Sequence, residues 1–191
     1  MIRDRFFYPL LILVIALIVG VAMLPSCRDN LSEAEIVSEG YLVEGEDLAL
    51  IQASPGTTVS FVGKTSSEPA FVTAAAHLSR SSAPASAGVF APLGSNYEQA
   101  FSGENLRMTL TARQGSANPT PDFKMGYFTA GAGDSGWKRF DLTPEFQDYS
   151  FTFTPPVSSE APDLDYFGVW PDEAGRQREM DISRFEIKVL E

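Results

Sequence analysis

The sequence predicts an all-β domain, a two-sheet jelly-roll β-sandwich, preceded by one N-terminal transmembrane helix. Three observations predict this fold class: an uncharged apolar run near the N-terminus, alternation of apolar and polar residues further along, and turn-forming residues between the alternating segments. The 15 Gly, 13 Pro and 14 Phe among 191 residues favour turns and strands over a helical bundle. We expect a cytoplasmic N-terminus at 1–5, a transmembrane signal anchor at 6–25, an acidic stalk at 26–47 and the β-sandwich domain at 48–191.

The apolar run at residues 6–25 contains no charged side chain. As a helix with a rise of 1.5 Å per residue it would be about 30 Å long, which matches the hydrocarbon core of a bilayer. Arg3 and Arg5 precede it, whereas between Arg28 and Lys64 only acidic charges occur. The positive-inside rule therefore predicts a single-pass protein of the inner (plasma) membrane, with its N-terminus in the cytoplasm and its domain on the periplasmic or extracytoplasmic side.

The fate of this segment is open between three alternatives: a retained signal anchor, a cleaved secretory signal, or a lipoprotein signal with Cys27 lipidated. The run is longer than the usual apolar region of about 7–15 residues in a signal peptide, which favours the anchor. Cys27 is the only cysteine and follows the small Ser26, which favours lipidation, although Pro25 is unusual in a lipobox. We expect the anchor, with lipidation at Cys27 as the alternative.

Composition excludes several function classes. The formal net charge of −11 argues against nucleic-acid binding, because phosphate contacts need a basic surface. The single histidine, His77, and the single cysteine are too few for an ordinary zinc site. No nucleophile turn accompanies His77, so we interpret it as structural or exposed. We expect no catalytic residue and no cofactor.

The alternation that predicts strands is clearest at 106–113, 149–153 and 185–189. In the first of these, Leu106, Met108 and Leu110 alternate with polar residues. Further strands are predicted at 47–52, 57–62, 71–78, 87–93, 124–129, 136–142 and 164–170. Turn residues separate most of them, as at 55–56, 94–96 and 171–172. The alanines at 74–76 suit a helix as well as a strand.

Residues 86–191 resemble a carbohydrate-binding module of the broad galactose-binding-domain-like class. The resemblance rests on the ordered segments 106–113, 135–140, 149–153, 165–172 and 180–187. It implies a jelly-roll sandwich, and a function in binding sugars or in adhesion. It also implies a possible structural calcium ion held by late acidic residues, namely Asp163, Asp165, Asp172, Glu173 and Asp181. These are motifs of fold more than of ligand.

Two predicted strands place aromatic residues on a face that a sandwich leaves outside. In strand 164–170, Phe167 and Val169 lie on one face and suit the core, whereas the aromatic Tyr166 and Trp170 lie on the opposite face. Sugar rings stack on such side chains, and nearby polar groups bind their hydroxyls. The candidate ligand-binding residues are Trp137, Tyr166, Trp170 and Tyr127, with Arg139, Asp141 and Asp165 as polar partners. The alternative is that loops cover this face and bury the same residues.

The glycine-rich segment 131–136 lacks the Lys-Ser/Thr ending of a phosphate loop, and we predict a connection between strands there. Three functions remain open. The first is a membrane-anchored, non-catalytic module that recognises glycan or another cell-envelope component. The second is a protein-interaction module of an envelope polysaccharide or membrane complex. The third is a carbohydrate-active hydrolase that uses carboxylates alone.

Overall fold

The computed structural model describes residues 31–129, 133–157 and 164–190, and Ser32–Glu191 forms one compact unit. The predicted cytoplasmic N-terminus, the apolar run 6–25 and Cys27 lie outside the described residues. Over the three described ranges, no helix combines the length and the apolar character needed to cross a membrane.

Two antiparallel sheets make up the domain, as the alternation predicted. The strands are β1 (Tyr41–Glu44), β2 (Gln52–Ala53), β3 (Thr57–Val62), β4 (Phe71–Ala76), β5 (Val89–Leu93), β6 (Leu106–Gln114), β7 (Asp122–Phe128), β8 (Lys138–Asp141), β9 (Gln147–Phe153), β10 (Asp165–Trp170) and β11 (Glu179–Val189). One sheet has the order β3-β4-β11-β6-β9, with β1 paired to the second half of β11. The other sheet has the order β2-β5-β10-β7-β8.

The core lies between the two sheets and is built from the apolar residues of the alternating pattern. Met108 and Leu110 of β6 are fully buried and pair with Ile187 and Phe185 of β11. Phe167 of β10 meets Phe185 edge-on across the two sheets, with ring centroids 5.3 Å apart. This contact shows that the odd-numbered residues of β10 face inward.

The acidic segment predicted as a stalk is, from Ser32 onward, part of the domain. Helix α1 (Glu33–Glu39) begins with a capping box between Ser32 and Glu35, and its Ile36 is fully buried. Strand β1 then pairs with β11. Between them Gly40 has φ +77°, and a Cβ there would lie 2.2 Å from the Ile187 carbonyl oxygen, so only glycine fits. The predicted domain boundary at residue 48 is therefore wrong. The acidic side chains of this segment are exposed, but Ile36, Tyr41 and Val43 between them are buried in the domain.

Three local predictions also differ from the structure or were ambiguous. Most of the strand predicted at 47–52 is a 3-10 helix, Gly45–Leu50, which buries Leu48. The turn predicted at 94–96 begins α2 (Ser95–Phe101), which buries Phe101 and packs against α1. The alanine segment is a strand, because Ala74 and Ala76 alternate into the core and pair with β3. Tertiary packing there overrides helix propensity.

Candidate functional site

The outer face of the five-stranded sheet carries a row of aromatic side chains. Phe90 of β5 and Tyr166 of β10 meet edge-on, with ring centroids 5.1 Å apart. Phe128 of β7 lies opposite Tyr166 in the strand register, and its ring lies 4.6 Å from that of Trp137. All four side chains are partly exposed. We call Phe90, Tyr166, Phe128 and Trp137 the aromatic strip.

Two glycines make room for the aromatic strip. Gly126 and Gly168 pair across β7 and β10, so they lie next to each other on the outer face. A Cβ on Gly168 would lie 2.9 Å from Cε2 of Phe128, and a Cβ on Gly126 would lie 2.9 Å from its Cζ. The Phe128 ring therefore rests against the sheet above both glycines. Any side chain at either position would push the ring away from the sheet.

Arg80 and Trp170 adjoin the Trp137 end of the strip. The Arg80 guanidinium carbon lies 5.4 Å from the centroid of Trp137 and 5.3 Å from that of Trp170. The two indoles meet edge-on at 6.3 Å. Trp170 belongs to the outward-pointing side of β10, as predicted, but it is fully buried, and its Nε1 donates a hydrogen bond to the Asp172 carbonyl oxygen. Trp170 therefore supports the site rather than touching solvent.

Tyr127 and Asp165 lie on the inner face, contrary to the prediction. Tyr127 pairs with Phe167 in the register, so both point into the core, and its ring lies 5.9 Å from Phe153 of the other sheet. The Tyr127 hydroxyl donates a hydrogen bond to Asp165 Oδ2 at 2.6 Å. Burial raises the pKa of this hydroxyl, and the charge of Asp165 raises it further. The assignment to the outer face failed because the register of β7 placed Phe128, not Tyr127, outside.

Arg139 and Asp141 lie on the outer face at the edge strand β8, as predicted. Their side-chain contacts are with Asp122 and with each other, and not with the rings of the aromatic strip. Arg139 donates to Asp122 Oδ2 at 3.0 Å, and this bond raises the pKa of the guanidinium. Asp141 is almost fully exposed and lies 3.9 Å from Arg139. Nearby, Lys124 is paired with Glu173. The charges at this edge are thus already compensated by one another.

The late acidic residues that the structure describes do not converge on a metal site. Asp181 accepts hydrogen bonds from Thr73 and Arg113, and Asp172 accepts backbone bonds from Ala174 and Arg176. Asp163 lies outside the described residues. In the part of the chain that the structure describes, no three His, Cys, Asp or Glu side chains gather as ligands for a metal ion.

Two further sequence interpretations can be compared with the structure. His77 is exposed and directly follows β4. The glycine-rich segment joins the antiparallel neighbours β7 and β8, and Ser135 holds it through a bond from the Tyr127 amide to its Oγ at 2.8 Å. Residues 130–132 lie outside the described ranges.

Sequence reasoning missed three members of the site: Phe90, Phe128 and Arg80. The alternation of Phe90 with Val89 and Ala91 could have placed it on an outer face. Phe128 required the register of β7, which the pattern of that strand left ambiguous. Arg80 lies in the Ser/Ala/Pro-rich stretch after β4, and nothing in that stretch signals that its guanidinium reaches two tryptophans.

The comparison with solved structures supports the two-sheet architecture of the chain. Neither a protein-family model nor a curated protein sequence matches the chain. Among solved structures, the CBM22-1 xylan-binding domain of Paenibacillus barcinonensis Xyn10C is similar with a TM-score of 0.53 and 10% identity, covering 79% of this chain and 94% of that domain. The chain therefore shares a two-sheet β-sandwich fold with that domain. The CBM22-2 domain of the same xylanase has a TM-score of 0.52 at 11% identity, with 78% and 99% of the two chains covered.

A third similar structure comes from a larger protein. The CBM22-1-GH10 modules of Clostridium thermocellum Xyn10B, complexed with xylohexaose, have a TM-score of 0.52 and 11% identity. The likeness covers 80% of this chain but only 29% of that one. At such identities the likeness concerns the fold, and the binding residues have to be argued from this chain's own face.

Proposed function

We propose that this protein is a non-catalytic glycan-binding module, and that the aromatic strip is its binding surface. The single observation that carries the proposal is the composition of the outer face of the five-stranded sheet. Alternation in a two-sheet sandwich places polar residues on an outer face unless something covers it. Phe90, Tyr166, Phe128 and Trp137 are instead aromatic and partly exposed, and they form two ring pairs, Phe90 with Tyr166 and Phe128 with Trp137, on adjoining strands. Such a row suits the apolar faces of successive sugar rings.

Tyr166 is the centre of the proposed site. In the strand order β5-β10-β7, Tyr166 lies on the strand between those of Phe90 and Phe128. Its hydroxyl has no hydrogen-bond partner within the described ranges, whereas the buried Tyr127 hydroxyl does. A partly exposed tyrosine with a free hydroxyl offers a sugar both a stacking surface and a polar contact.

The proposal includes a place for the domain. The uncharged run at 6–25 and the charge asymmetry around it support a domain held outside the cytoplasm at the plasma membrane. Since the compact unit starts at Ser32, only a few residues would separate the domain from such an anchor. Cys27 falls within that short interval, which also suits lipidation. Palmitate labelling of the wild type and of Cys27→Ala separates the two: label that disappears in the variant contradicts the simple anchor.

Binding is tested with the full chain in a detergent whose head group is not a sugar, on an array of plant and bacterial envelope polysaccharides. We expect at least one polysaccharide to bind, and Tyr166→Ala to weaken that binding by about thirty-fold, as for a central aromatic contact worth about 2 kcal/mol. Affinity electrophoresis or calorimetry measures the change.

The matched control is Thr152→Ala. Thr152 is exposed on the outer face of the other sheet, so its truncation should leave glycan affinity unchanged. If the folded protein binds no polysaccharide, or if both variants lose affinity equally, the aromatic strip is not a glycan site.

A further inference from the structure

Arg80 is held in place by aromatic rings, and no carboxylate among the described residues pairs with it. Its guanidinium lies within 5.5 Å of the centroids of both Trp137 and Trp170. Its backbone is fixed by a bond from the Arg80 amide to the Glu173 carbonyl oxygen at 3.0 Å. Stacking on aromatic faces orients the planar guanidinium without using its N–H donors. The side chain is therefore already oriented before a ligand binds, and its N–H donors are not used in this stacking.

The donors of Arg80 have no partner among the residues that the structure describes. Considering residues 31–129, 133–157 and 164–190, neither an ion pair nor a side-chain hydrogen bond involves its guanidinium. Its Nε is buried and unpaired, whereas Nη1 and Nη2 are not among the buried unpaired atoms and so remain reachable. A guanidinium with two reachable terminal amino groups matches a carboxylate in a bidentate arrangement.

The other cations on this face are already neutralised. Lys124 is paired with Glu173, and Arg139 with Asp122. Arg80 therefore supplies the one uncompensated positive charge that touches the aromatic strip in the described part of the chain. Its position at the Trp137 end puts that charge beside a ring on which a sugar can stack.

We propose that Arg80 binds the carboxylate of a single acidic sugar within a mostly neutral glycan that lies along the aromatic strip. This inference rests on the proposed function and names the ligand class more narrowly. The net charge of −11 repels densely anionic polymers, and one arginine can compensate only one carboxylate. A neutral glycan with isolated uronic acid residues satisfies both conditions.

The test uses matched oligosaccharides and the full chain in sugar-free detergent. One pair is xylohexaose and the same oligomer carrying a single glucuronic acid branch. A second pair is cellohexaose and the same oligomer with one residue oxidised at C6. Calorimetry should show the acidic member of a pair binding roughly ten-fold more tightly, as expected for a charge-assisted bidentate contact. The advantage should shrink as ionic strength rises.

The variant Arg80→Gln should abolish the preference for the acidic member, so that the ratio of the two affinities falls to about one. Arg80→Lys, which keeps the charge without the planar fork, should retain part of the preference. Thermal unfolding of each variant checks that it is folded. Reduction of the carboxylate to an alcohol should have the same effect on wild-type binding as Arg80→Gln.

Three results would overturn the inference. Equal affinity of the wild type for both members of a pair leaves the proposed function standing and removes the role of Arg80. Equal losses for both members in folded Arg80→Gln show that Arg80 only packs against the indoles. Failure of every oligosaccharide, neutral or acidic, to bind contradicts this inference and the proposed function together.

Discussion

Two arginines, one on each outer face, are stacked between aromatic rings and yet differ in every other respect. Arg113 on the six-stranded sheet lies 4.4 Å from the centroid of Phe146 and 5.2 Å from that of Phe71. Its Nε donates to Asp181, and its two terminal amino groups donate to the carboxylate oxygens of Glu68. Arg80 stacks in a similar way, but it pairs with no carboxylate among the described residues. Both arginines therefore contact aromatic rings, and they differ in whether carboxylates already occupy the guanidinium donors.

The faces around these arginines differ in the same way. Beyond the Arg113 cluster, the outer face of the six-stranded sheet carries threonines and serines, and several of its charges are paired, as in the 2.9 Å contact between Arg184 and Asp148. The outer face of the five-stranded sheet carries the aromatic strip. Alternation specifies which residues point outward on both sheets, whereas only their chemistry distinguishes a solvated face from a binding face.

The largest expected effect is on the six-stranded face. Arg113→Gln leaves the buried carboxylate of Asp181 without its charged partner, so we expect the free energy of unfolding to fall by about 3 kcal/mol, at the lower end for a buried pair because Arg113 is partly exposed. Arg80→Gln should lower it by less than about 1 kcal/mol, the value of a stacked cation. Urea denaturation of both variants measures the difference.

The same pair of variants should show the opposite order in glycan binding. Arg113→Gln should keep the wild-type preference for an acidic sugar, and Arg80→Gln should lose it. A similar loss of stability in the two variants would mean that the carboxylates do not distinguish the two arginines.

The fold could be predicted from the sequence to a greater extent than the site. Alternation identified the strands around Leu110, Phe151 and Ile187, because burial of one face imposes a period of two. The site depends on register and on long-range packing. Tyr127 and Phe128 are adjacent in sequence, and Phe128 breaks the apolar-in, polar-out alternation of β7 because it is apolar and yet lies on the outer face opposite Tyr166.

A second prediction concerns Gly168, one of the two glycines on which the Phe128 ring of the aromatic strip packs. Gly168→Ala would place a Cβ 2.4 Å from the Ala87 carbonyl oxygen and 2.9 Å from the Phe128 ring. We expect a loss of about 2 kcal/mol in the free energy of unfolding, as for an overpacked site, together with weaker glycan binding, because Phe128 must move. Urea denaturation and calorimetry measure the two effects.

Gly63→Ala is the matched control for this change. Nothing lies closer than 3.8 Å to a Cβ at Gly63, and its φ is not positive, so stability and binding should both stay near the wild type. If Gly168→Ala binds glycan as the wild type does, the position of the Phe128 ring is irrelevant to the site.

The last prediction concerns the inner face of the five-stranded sheet, on the side opposite to the aromatic strip. Because the pKa of the buried Tyr127 hydroxyl is raised, its contribution to stability is fully present below the ordinary tyrosine pKa and is lost as the pH rises above it. At one pH unit above an ordinary pKa of about 10, the loss should be about 1.4 kcal/mol. Urea denaturation at neutral pH and near pH 11 measures it. Tyr127→Phe should be less stable than the wild type at neutral pH, since Asp165 loses a donor, but should lose less on going to high pH. An equal alkaline loss in the variant would show that Tyr127 is not the group that resists ionisation.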